Sequence, residues 1–186
     1  MLWVGLGFLG AAFLVQVFGR SIKEKLGAVF LLFYLGAVFF TICVYLFLTY
    51  FQYISWVNSS SITKYFLPPY KNLAYLFQFY FFRFLIYYGI SFLASLSFLV
   101  LTLTGNKRFS GKFFEAGEPF IAAFAIFILG NKEWNYAWIY YLVLVLVCYL
   151  AIHFYFKFKG SKNERASIYW LWLPLAFSII ILRSFL

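Results

Sequence analysis

Tyr136-Ala137-Trp138-Ile139-Tyr140-Tyr141-Leu142-Val143-Leu144-Val145-Leu146-Val147-Cys148-Tyr149-Leu150-Ala151-Ile152-His153-Phe154-Tyr155-Phe156 contains no Asp, Glu, Lys or Arg. About 20 apolar residues wound as a helix match the roughly 30 Å hydrocarbon core of a bilayer. In that medium every backbone N–H and C=O must be satisfied within the segment, which a helix does. Apolar runs also cover 2–18, 27–55, 84–104, 113–131 and 168–186, separated by short polar or basic turns. The pattern predicts an all-α, polytopic integral membrane helix bundle. It has about six transmembrane helices in one domain, 1–186.

Composition agrees. Of 186 residues, 66% are hydrophobic and 11% charged, with mean hydropathy +0.91. A soluble domain is roughly 45–50% apolar and 25% charged, so a soluble catalytic domain is excluded. Twenty-eight Phe and 16 Tyr fit a lipid-facing surface with aromatic belts at its edges. The net charge of +10 is spread over turns between apolar runs, not along one element. Its expected partner is therefore the bilayer's anionic headgroups, not nucleic acid.

Several boundaries can be read along the chain. Charge follows the first run at Arg20 instead of preceding it, which suits a retained helix more than a signal peptide. Ser21 and Glu24 have capping-box spacing, so the second helix is expected to begin near Ile22. It continues to Trp56 with a boundary belt at its end, and Pro68-Pro69 breaks the loop that follows. Lys71 to Thr104 exceeds one ordinary span. It is read as an interfacial piece up to Arg83 and a span from Phe84. Counting Lys and Arg gives ten in the first, third and fifth loops against three in the second and fourth. The positive-inside rule then puts both termini on the non-cytoplasmic side of a cell inner membrane or an organellar one.

The fourth run carries the most chemistry. Glu115, Glu118, Ala122 and Ala125 share one face if the helix is continuous. If it begins instead at Pro119, a favoured first position, the carboxylates sit at a helix N-terminus and the segment is short or re-entrant. His153 is placed at about the same depth. Glu115, Glu118 and His153 are thus candidates for an ion or proton site. Arg83 and Arg183 fall near the opposite boundary, where long cations snorkel to water or meet lipid headgroups.

Other motifs read as packing. Gly5-Leu6-Gly7-Phe8-Leu9-Gly10 has dinucleotide-fingerprint spacing but lacks the strand before it. Gly7 and Ala11 have the small-xxx-small spacing of a helix contact. Ser91, Ala94, Ser95 and Thr102 form a second seam. Cys43 and Cys148 read as small buried hydrophobes. With one histidine and no cysteine pair, no metal site is expected. No catalytic residue or cofactor is identified, and no zinc-protease, nucleophile-elbow or phosphate-loop motif occurs.

Three functions are consistent with these residues. The first is a non-catalytic subunit of a larger membrane complex, with other membrane subunits or copies of itself as partners. The second is a transporter or channel component using an intramembrane Glu/His site. The third is an intramembrane lipid-modifying enzyme with Glu118 and His153 as acid and base.

Overall fold

The computed structural model describes residues 2–19, 26–59, 62–109, 114–115, 117–134, 136–159 and 168–185. The expected capping box at Ser21 and Glu24 and many of the loop cations lie outside them. The described residues form helices and turns, with no strand. The helices are α1 (Leu2–Phe18), α2 (Leu26–Asn58), α3 (Leu73–Arg108), α4 (Glu118–Ile128), α5 (Ala137–Phe158) and α6 (Trp172–Phe185). Three of them, α2, α3 and α5, are long and apolar enough to cross a membrane.

One helix boundary differs from expectation, and one open alternative is decided. The segment from Lys71 does not end at Arg83: α3 is one helix through a π-helical turn, Phe81–Leu85. Its start is fixed at Asn72, whose side chain accepts the Ala74 N–H at 3.2 Å. The fourth run is the short form, 11 residues or roughly 16 Å. Gly117, at φ 102°, turns the chain into α4, and Pro119 occupies the first turn, where its missing N–H costs nothing.

This short helix is the centre of the molecule. Every α4 residue except Phe120 is buried, and α1, α2, α3, α5 and α6 all pack against it. Phe127 sits among the rings of Tyr34, Tyr88 and Phe92, with centroids 5.7 to 6.2 Å away. Hydroxyls fasten the same region. Ser95 Oγ donates to its own helix at Phe92 O, so the Tyr34 hydroxyl 2.7 Å away is the donor across α2 and α3. Ser91 Oγ is shared between Tyr88 O of its own helix at 3.1 Å and Phe127 O of α4 at 3.2 Å, a carbonyl that also accepts the Gly130 N–H at 3.0 Å. Ser91 and Ser95 therefore form a helix seam, while Thr102 bonds only within α3.

On α1 the inward residues are Leu9, Ala12 and Gln16; Gly7 and Ala11 face outward. Close packing falls to Gly5, where an added Cβ would stand 2.9 Å from the Trp134 ring. Gln16 exchanges hydrogen bonds with Tyr169, its amide donating to Tyr169 O and the tyrosine hydroxyl to Gln16 O. Cys43 is exposed and Cys148 half-buried, so neither is the buried hydrophobe expected.

The long helices outrun this bundle. Val4 and Gly5 of α1 lie beside Ala37, Thr41 and Val44 of α2, with Phe84 and Tyr88 of α3 at the same level. Beyond that level α2 continues for 14 residues to Asn58, roughly 21 Å. It pairs there with the first turns of α3, forming a helical arm. The arm has its own small core of Trp56, Leu67 and Leu76, with Tyr53, Phe66, Tyr75 and Phe79 packed on it. The Tyr45 hydroxyl donates to Phe77 O at 2.9 Å and the Tyr80 hydroxyl to Gln52 Oε1 at 3.1 Å.

Candidate functional site

The approach to α4 is built by Asn106. Its amide donates to Phe114 O at 3.0 Å and accepts the Phe114 N–H at 3.1 Å, so one side chain serves as a two-sided backbone partner. Glu115 follows and is exposed, outside the helix. Glu118 is 1% exposed, and its Oε2 accepts the Glu115 N–H at 2.8 Å. A carboxylate in the first turn also meets the positive end of the helix dipole. The two glutamates thus belong to one N-terminal turn and not to one helix face.

His153 stands on the exposed side of α5, its ring stacked on Tyr149 at 6.2 Å and 18°. Among the described residues no hydrogen bond or ion pair joins it to Glu115 or Glu118. None of the three lines the apolar cleft nearby, although Phe114 precedes Glu115 and Tyr149 stacks on His153. A cleft of about 430 Å³ between α3, α5 and the start of α6 has Phe114 on one wall and Tyr149 on another. Phe98 and Trp172 form its floor, and the exposed Leu146 marks its opening. The lining is apolar and the volume lies within the roughly 300–1,000 Å³ of small-molecule sites. Such a cleft suits binding. It presents no contacting acid–base pair for proton transfer.

The arginines lie at the other end of the bundle. Arg183 is held over the Tyr140 ring, 4.6 Å from its centroid, and Arg83 over Phe79 at 5.6 Å. Arg83 lies on the π-helical turn, where the arm joins the bundle. With Tyr75, Gln78, Phe79, Phe82 and Lys132 it lines an open groove of about 510 Å³. Lys132 belongs to a 3-10 turn, Lys132–Trp134, shaped by Asn131, whose side chain accepts the Glu133 N–H at 3.2 Å.

No family model matches this chain. No curated protein and no solved structure matches it either.

Sequence reasoning missed Asn106, Gln16, Gly130 and the groove that Arg83 and Lys132 share. A polar residue inside an apolar run was a usable signal for Gln16. The others depend on contacts between distant segments. Among the described residues no three of His, Cys, Asp and Glu gather as a metal site.

Proposed function

We propose that this chain is a multi-pass integral membrane protein and a non-catalytic subunit of a larger membrane assembly, with the arm as its contact to a partner chain. The observation that carries the reading is the mismatch in length. Within the bundle α1 extends roughly 25 Å over its 17 residues. That is close to the roughly 30 Å hydrocarbon core. The apolar windows of α2, α3 and α5 are only 17%, 17% and 11% buried, a degree of exposure that lipid accommodates and water does not.

The arm extends beyond that thickness and still shows Tyr50, Phe51, Ile54, Phe77 and Phe82 on its outside. Its described cations are Lys64, Lys71 and Arg83, with no carboxylate. Apolar surface past the hydrocarbon needs a cover, and a second membrane chain supplies one. Lys107, Arg108, Lys157 and Lys159 at the other end fit the cytoplasmic side, with the arm on the opposite face.

Extraction in mild detergent tests the reading. Another multi-pass chain is expected to co-purify in fixed ratio and to be lost when the arm core is opened by Trp56→Ala. Recovery of the wild-type chain alone and monomeric, from membranes cross-linked before extraction, overturns it.

A second reading, a transport component, is favoured by one feature: a short enclosed helix with a buried carboxylate at its N-terminus. Short and broken helices recur at transporter sites. This reading expects flux in liposomes holding only this chain, reduced by Glu118→Gln. Absence of flux with correctly folded protein removes it.

A further inference from the structure

We infer that Arg83 and Lys132 form a site for the phosphate group of an anionic phospholipid, at the junction of the arm and the bundle. The two residues are 49 positions apart in sequence, yet both line one groove. Among the described residues neither is ion-paired. The groove holds two cations and no carboxylate; Glu133, next to Lys132, does not line it.

Both cations are held in place by rings. Arg83 Cζ lies 5.6 Å from the centroid of Phe79, and Lys132 Nζ 5.7 Å from that of Tyr87. This restricts two long side chains before any ligand arrives and reduces the ordering cost of binding. An Arg fork with a Lys point charge is suited to phosphate oxygens. Gln78 and the Tyr75 hydroxyl add groups that can bond a headgroup hydroxyl, and Phe79 and Phe82 offer apolar surface to the chain below it. The π-helical turn, a form common at functional sites, carries Arg83 at this junction.

The choice of a lipid over a free phosphate rests on the membrane reading proposed above. On that reading the groove lies at the edge of the hydrocarbon, at headgroup level. Whether the purified chain stays dispersed in buffer without detergent is determined first, so failure of that reading is seen independently of lipid binding.

The experiment is native mass spectrometry of the detergent-solubilised chain, titrated with phosphatidylglycerol, phosphatidylcholine or glycerol 1-phosphate. Phosphatidylglycerol is expected to bind best. Arg83→Gln and Lys132→Gln are each expected to weaken it about fivefold, and the double variant about 25-fold. The charge-conserving pair Arg83→Lys with Lys132→Arg retains most of the binding. Arg183→Gln leaves it unchanged. Unaltered phosphatidylglycerol binding by a folded double variant overturns the site. Glycerol 1-phosphate bound as tightly as the lipid overturns the lipid assignment.

Discussion

Gly130 rests against Ser91 with no room for a methyl group. A β-carbon on the glycine would overlap Ser91 Oγ and stand 2.6 Å from Ser91 Cβ. The same serine hydroxyl reaches Phe127 O at 3.2 Å, beside the Gly130 N–H that donates to that carbonyl at 3.0 Å, so the two helices meet at the end of α4.

Gly130→Ala is therefore expected to destabilise the bundle by about 1–3 kcal/mol, the usual cost of overpacking. Unfolding by titration with SDS from mild detergent measures it. Removing the obstructing side chain with Ser91→Gly in the same protein should recover part of the loss. If Gly130→Ala alone is neutral, the contact is looser than described.

At the other end of α4, Gly117 has φ 102°. Gly117→Ala should cost about 1–2 kcal/mol because a β-carbon disfavours left-handed backbone. Gly117→Asn should cost less, since Asn tolerates that region. An added Cβ meets nothing nearer than 3.6 Å, so steric crowding would not produce that order.

The hydroxyl pair of Tyr34 and Ser95 invites a double-mutant cycle. Tyr34→Phe and Ser95→Ala are expected to couple by about 0.6–1 kcal/mol, the size of a side-chain bond between helices in lipid on the proposed membrane reading. A coupling near zero would mean that the Tyr34 hydroxyl gains nothing from Ser95 Oγ as its acceptor.

Trp56 is the hub of the arm, with Phe66 and Phe79 at centroid distances of 5.5 Å. Trp56→Ala should remove about 3–5 kcal/mol from the arm's small core. Hydrogen exchange should accelerate across 62–80 and stay slow in α4. Uniform acceleration would show that arm and bundle unfold as one unit.

Sidedness can be read by labelling with a membrane-impermeant maleimide. With Cys43 and Cys148 replaced by Ala, Tyr65→Cys is expected to react from one side of sealed vesicles and Lys107→Cys only from the other. Reaction of both from one side would exclude a bundle that spans between them.

Much of the helical plan was legible because apolar run length is a local property. Runs read to end at Phe18, Trp56 and Phe156 became helices ending at Phe18, Asn58 and Phe158. Pro119 and Glu118 marked the start of α4, since a proline fixes φ and removes a donor regardless of its neighbours. Ser91 and Ser95 were recognisable as a seam from helical spacing alone. Arg83 misled, because a charge within an apolar run looks like a boundary, whereas α3 absorbs it in one π-helical turn. Asn106 was invisible because its value lies in the Phe114 backbone eight residues away. Glu115 and Glu118 were correctly brought close, but helical periodicity does not extend across Gly117.

The enclosure of Glu118–Ile128 also constrains biogenesis. Three of the helices around it precede it in the chain and two follow, so its walls are still incomplete when it leaves the ribosome. Its final seat exists only once Ala137–Phe158 and Trp172–Phe185 have been synthesised. Assembly must therefore hold this apolar segment in a provisional setting until the last two helices close over it.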